Sequence, residues 1–170
     1  HPNGFIKAKS GIYQKRIEFA SASGNVVAKD SLGEYAFFGE RLQYDRIKKI
    51  LTMPLRPILH HYSKNKDKNG EIDTLSIKAD WISYKQDDEF AEAFKNVVLE
   101  HNGMTVTCDT GYFNKKENWI SMKGNPKCLL ENHELSGDSI FLRLTPDGKG
   151  LKSALVIQNA HGIQKEPRKK

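Results

Sequence analysis

The ten residues EFASASGNVV (18–27) return as EFAEAFKNVV (89–98), with seven of ten positions identical at an offset of 71. Glu18, Phe19, Ala20, Ala22, Asn25, Val26 and Val27 match Glu89, Phe90, Ala91, Ala93, Asn96, Val97 and Val98. Self-similarity at a period of tens of residues is what stacked copies of one structural unit leave in a sequence. The chain must therefore fold as repeats that share a core.

The repeat continues downstream. YDRIKKILTMPLRP (44–57) aligns with FNKKENWISMKGNP (113–126), placing Tyr44 on Phe113, Asp45 on Asn114, Met53 on Met122 and Pro57 on Pro126, now at an offset of 69. A shorter phrase, a small residue followed by an acid and then apolar or aromatic residues, recurs as GERLQY (39–44), ADWISY (79–84), CDTGYF (108–113) and GDSIFL (137–142). Its spacings are 40, 29 and 29. The polar segment SKNKDKNGE (63–71) accounts for the longer first spacing and reads as a flexible loop between copies.

Alternation, β-branched and aromatic enrichment, and Gly, Asn or Asp between short runs make the chain all-β. NVVAKD, YAFFGERLQYD, KILTM, IDTLSIKADWISY, AEAFKNVVLEH, MTVTCDTGYF, NWISM, DSIFLRL and ALVIQNA read as strands, and DRIKK, KKEN, HNG, KGNP and TPDGKG as turns. EFAEAFKNVVLE has a helical look, but its twin carries Ser and Gly, so both copies are strands. Parity then predicts one buried face. Leu42 with Tyr44, Ile82 with Tyr84, Leu51 with Met53, Ile120 with Met122, and Ile140, Leu142 and Leu144 share it. In MTVTCDTGYF the parity of Met104, Val106 and Cys108 does not continue to Gly111 and Phe113, which calls for a β-bulge near residues 109–111.

The net charge of +6 and pI near 9.2 suit an anionic partner. The basic runs at 46–49, 64–68 and 165–170 carry no interleaved aromatics, so they do not make a nucleic-acid platform, and no nucleic acid is expected as a partner. A mean hydropathy of −0.63 fits a flattened or elongated fold with much strand surface in water. No apolar stretch approaches the ~18 residues of a membrane span, and the opening His1-Pro2-Asn3-Gly4 lacks a signal-peptide core.

The chemical candidates read as structural. Asp80, Asp109, Asp138 and Glu40 recur because the repeat recurs, whereas a catalytic carboxylate pair would break it. His60, His61, His101 and His133 have no metal-ligand spacing and are expected to be solvated or in turns. Cys108 and Cys128 fit neither a zinc knuckle nor a redox pair; buried thiols are expected, with a cross-strand disulfide as the alternative in an oxidising compartment. No serine lies in a nucleophile elbow.

The paired NVV phrases, the small-acid-apolar phrase and the KGNP turn, in this order and spacing, resemble the OstA/LptA family of lipopolysaccharide-transport proteins, whose module also occurs in LptC and the amino-terminal part of LptD. GNVVAKD with GERLQYDRIKKILTM is similar to the opening unit, ADWISYKQDDEFAEAFKNVVLEHNGMTVTCDTGYFNKKENWISMKGNP to the next, and LSGDSIFLRL with ALVIQNA to the closing one. The resemblance implies a twisted open β-jelly roll, two antiparallel sheets in a V around an apolar groove, over residues 17–161. Residues 1–16 are then an amino-terminal extension and 162–170 a basic tail. It implies a periplasmic, non-enzymatic protein without cofactor or metal. The implied partners are lipopolysaccharide or a similar glycolipid, other OstA-like proteins of a transport bridge, and further copies of the same chain joined end to end. The groove candidates are the parity residues named above, Leu42, Tyr44, Leu51, Met53, Ile82, Tyr84, Ile120, Met122, Ile140, Leu142 and Leu144, together with Val26, Val97, Leu99, Val106 and Val156. The competing reading is a β-solenoid that binds or hydrolyses carbohydrate, which requires two convergent carboxylates in a cleft.

Overall fold

The computed structural model describes residues 4–66, 70, 72–146 and 151–164. Among these residues the chain is strand and turn, apart from one turn of 3-10 helix at Lys15–Ile17. Four long strands organise it: β3 (Phe19–Lys29), β4 (Tyr35–Asp45), β9 (Phe90–His101) and β10 (Met104–Asn114). The shorter strands are β1 (Phe5–Lys7), β2 (Ser10–Gln14), β5 (Ile50–Pro54), β6 (Ile58–Lys66), β7 (Ile72–Lys78), β8 (Trp81–Lys85), β11 (Trp119–Lys123), β12 (Lys127–Leu130), β13 (His133–Ser136), β14 (Ser139–Leu144), β15 (Leu151–Ile157) and β16 (His161–Gln164).

Each long strand serves two antiparallel layers. One half of it belongs to an upper arm, ordered β2-β3-β4-β5-β8-β9-β10-β11-β14-β15. The other half belongs to a lower arm, ordered β1-β3-β4-β6-β7-β9-β10-β12-β13-β16. The result is an open jelly roll with the apolar core between the arms.

The repeated phrase makes the corner between them. The ladder slips between Ser23 and Val26 on β3 and between Cys108 and Thr110 on β10, the latter at the bulge that parity requires. Left-handed backbone marks the corner along the roll: Gly24 and Asn25 (φ 82° and 47°), Leu55 and Arg56 (67° and 57°), Lys95 and Asn96 (60° and 51°), Gly124 and Asn125 (73° and 50°), and Gln158 and Asn159 (56° and 47°). Asn and Gly tolerate this region best, because a short polar side chain or none avoids the Cβ clash. Thus Asn25 and Asn96 recur in sequence because each turns its strand from one arm to the other, and the offset-69 copies place a left-handed pair at 55–56 and again at 124–125.

The small-acid phrase supplies the alternate strands of this corner. The Asp80 N–H donates to the Lys95 carbonyl (2.9 Å), the Asp109 N–H to Gly124 (2.9 Å), and the Asp138 N–H to Gln158 (3.1 Å). Asn96 Nδ2 donates to Asp80 (2.9 Å), and Asn159 Nδ2 to Asp138 (3.0 Å and 3.2 Å). These pairings satisfy backbone groups that a bend would otherwise strand away from the ladders.

Several boundaries differ from expectation. The sheets take in residues 5–14 through β1 and β2 and reach residue 164 through β16, so they extend past 17–161 at both ends. These edge strands are short and exposed, which hides their alternation in sequence. The run IDTLSIKADWISY is two strands, split at Ala79–Asp80 where the chain passes from the lower arm to the upper. In SKNKDKNGE, residues 63–66 continue β6, with Lys66 opposite Ile72, so the polarity marks the end of a long hairpin within the lower arm. Residues 67–69 and 71 of that segment, 147–150 of the TPDGKG turn and 165–170 of the basic tail lie outside the described residues.

Candidate lipid bay

Inward positions of both arms are apolar, and their contact forms the core. Of the sixteen groove candidates, Val26, Leu42, Leu51, Met53, Ile82, Tyr84, Val97, Leu99, Val106, Ile120, Met122, Ile140, Leu142 and Leu144 are 0–9% exposed in one cluster, with Tyr44 and Val156 packed half-buried against it. Most therefore touch one another rather than an open trough. Between β9, β10 and β11 the remaining void is about 10 Å³, room for about one water and far short of an acyl chain.

The arms separate at the amino-terminal mouth. There a bay of about 420 Å³ lies between Tyr44, Leu51 and Tyr84 of the upper arm and Phe5, Ile6, Ala28 and Phe37 of the lower arm. Tyr44, Leu51 and Tyr84 are the three groove candidates that line it. Sequence reasoning missed Phe5, Ile6 and Phe37. The i, i+2 spacing of Tyr35 and Phe37 in YAFF was the available signal, but the corner after Phe38 reverses the parity that Leu42 and Tyr44 set.

The rim is polar. Tyr44 Oη donates to Gln86 Oε1 (3.2 Å), Asp30 accepts the Tyr35 N–H (2.8 Å), and Lys49 Nζ meets Asp87 at 2.9 Å. Lys29, also on the rim, has no ion-pair partner among the described residues. An apolar floor with cationic groups at the lip is the environment an anionic amphiphile needs.

Aromatic rings close the inner end. Tyr35 and Tyr84 lie with centroids 4.7 Å apart and Phe37 and Tyr84 5.4 Å apart; Tyr35 continues to His61 at 4.8 Å, and His61 to Phe113 at 6.0 Å. Burial pushes both phenols well above their ordinary range. Among the described residues the buried Tyr35 hydroxyl has no hydrogen-bond partner.

Two histidines depart from the expected solvated state, because β6 and the end of β9 turn them between the arms. His61 is buried, and desolvation with the Lys115 charge pushes it down to about 4. His101 Nε2 lies 3.0 Å from Asp73 Oδ1, both side chains buried, at ion-pair distance but without hydrogen-bond alignment. His60 is half-buried and His133 exposed, both on strands rather than in turns. Among the described residues no group of three His, Cys, Asp or Glu side chains could hold a metal ion. The corner acids Asp80 and Asp138 are engaged by asparagines, as above. Cys108 and Cys128 are free, buried thiols.

No protein-family model matches the sequence, and no curated protein matches it. Among solved structures, LptH from Pseudomonas aeruginosa, the LptA homologous periplasmic component of that organism's lipopolysaccharide transport device, is similar with a TM-score of 0.66. The match covers 75% of this chain and 94% of LptH at 12% identity, which shows the fold. The chain is thus an all-β protein with the LptA-type open jelly roll. No helix among the described residues is long and apolar enough to cross a membrane.

Proposed function

We propose that this chain is a periplasmic, non-enzymatic carrier of lipopolysaccharide or a related glycolipid, working as one module of a β-jelly-roll bridge. The bay at the amino-terminal mouth carries this reading. It offers acyl carbon an exit from water at about 25 cal/mol per Å² of apolar surface, with Lys29 on the rim placed for a headgroup anion. LptH, which shares the fold, is a component of lipopolysaccharide transport.

The ends of the roll suit a bridge. β2 and β1 form the amino-terminal edges and β15 and β16 the carboxy-terminal ones, and both expose apolar side chains: Phe5, Ile6, Ile12 and Tyr13 at one end, Leu151, Leu155, Ile157 and Ile163 at the other. Free edges pair by strand addition. Such a contact is heterologous, so it propagates as a rod instead of closing as a dimer.

Mass spectrometry of lipid bound to the native protein from its own host tests the cargo. Glycolipid is the expected finding, and its absence from protein that binds no added lipopolysaccharide overturns the proposal. Sedimentation across a concentration series tests the bridge. A ladder of species is expected, and because successive N–H groups alternate sides, one of Leu155→Pro and Val156→Pro should shift it to monomer. A strictly monomeric protein removes the end-to-end arrangement.

A further inference from the structure

Resting on the carrier reading, we infer that Tyr35, Phe37 and Tyr84 form a partition that limits the bay to a single acyl chain and sets the length of chain it accepts. Tyr35 and Phe37 come from the lower arm and Tyr84 from the upper, so the ring contacts at 4.7 Å and 5.4 Å tie the two arms together across the groove. All three side chains are buried, at 4%, 3% and 5% exposure. On their amino-terminal side the bay holds about 420 Å³. Beyond them, among the described residues, the spaces between the arms shrink to about 20 Å³ beside His61 and Phe113 and about 10 Å³ around Ile120 and Met122. The groove is therefore a pocket with an inner wall. Its volume falls at the low end of the ~300–1,000 Å³ of sites for small ligands, which suits one linear chain and excludes the several chains of a glycolipid from entering side by side.

A wall at fixed depth predicts a length limit. Each methylene that enters the bay leaves water and strengthens binding about fourfold, the equivalent of ~0.8 kcal/mol; methylenes beyond the wall add nothing. The test titrates the full chain with saturated fatty acids of increasing length and reads affinity by calorimetry and stoichiometry by native mass spectrometry. One chain per protein is expected, with affinity rising and then reaching a plateau. Tyr84→Ala should move the plateau to longer chains, whereas Tyr84→Phe and Tyr35→Phe, which keep the rings, should leave it in place. If Tyr84→Ala fails to fold, Leu51→Trp provides an independent reading, since a larger side chain on the bay's floor should move the plateau to shorter chains. Two or more chains per wild-type protein, a rise without plateau, or a plateau that neither folded variant moves overturns the partition. Capture of intact lipopolysaccharide without a chain-length limit removes the partition alone, while failure to bind any amphiphile removes the carrier reading with it.

Discussion

Asn96 donates its side-chain amide to the Asp80 carboxylate across 2.9 Å while the Asp80 N–H donates to the carbonyl of Lys95, the residue before Asn96, across the same distance. One pair of residues thus closes the bend from both sides, with the asparagine in left-handed backbone at φ 51°. Asn96→Val should lower unfolding free energy by about 2 kcal/mol, combining the left-handed penalty of a side chain with Cβ branching and the lost hydrogen bond. Asn96→Gly should cost less than about 1 kcal/mol, because glycine keeps the bend. Urea denaturation distinguishes the two. Asp80→Asn, Asp109→Asn and Asp138→Asn should change stability without removing any glycosidase or esterase turnover.

Gly124 makes a neighbouring bend in the same copy, where its carbonyl accepts the Asp109 N–H. A Cβ there would sit 2.5 Å from Asp109 Oδ2 and 2.7 Å from Asp109 Cβ, at φ 73°. Gly124→Ala should therefore destabilise by about 1–3 kcal/mol. Adding Asp109→Ala should recover little, since the Cβ contact remains, and Asp109→Gly should recover more. Equal recovery by both would refute the assigned clash.

The buried imidazole makes stability depend on pH. His61 titrates at 6.5 when unperturbed and at about 4 in the fold, where burial and the Lys115 charge disfavour its cation against smaller opposing effects of Glu34 and Asp73, with His101 adding to the lowering. Between these values the unfolded chain binds the extra proton. The stabilising contribution is complete above pH 6.5, falls as pH drops towards 4 and is then lost, a difference on the order of 3 kcal/mol. Thermal or urea unfolding of wild-type protein and His61→Phe across this window should show a slope in the first that is reduced in the second.

Cys108 and Cys128 are 7% and 3% exposed. Burial, with Asp109 adding to it, pushes the Cys108 thiol up to about 11, and burial raises Cys128 as well. Alkylation at neutral pH should therefore leave both unmodified in the native protein and label both in denaturant. Fast labelling of native protein would contradict the packing of β10 against β12.

Strand identity and inward parity were legible because β strands write their faces with period two, and the sixteen apolar positions from Val26 to Val156 do gather in one core. The bulge at residues 108–110 was legible because parity breaks there. The edge strands β1, β2 and β16 escaped notice, since a strand such as Ser10–Gln14 is exposed on all its residues and carries no alternation. The bay escaped for another reason. Whether an inward residue touches a ligand or its neighbour depends on how far the arms stand apart, and Ile120 and Tyr84 look alike in sequence although one is walled in and the other faces open space. The histidines misled because spacing reports metal geometry and says nothing of burial.

The ladder of corners has a consequence for how such a protein changes length. The left-handed pairs at 95–96, 124–125 and 158–159 are each closed by one acid, Asp80, Asp109 and Asp138, so a block of the chain carries its own elbow with it. Duplicating or excising one such block would extend or shorten the axis by roughly 10 Å for every two strands, at about 4.8 Å each, and leave the cross-section untouched. The length of the roll can then be adjusted in whole units by gene duplication, and the 71-residue echo between Asn25 and Asn96 is the mark such an event would leave.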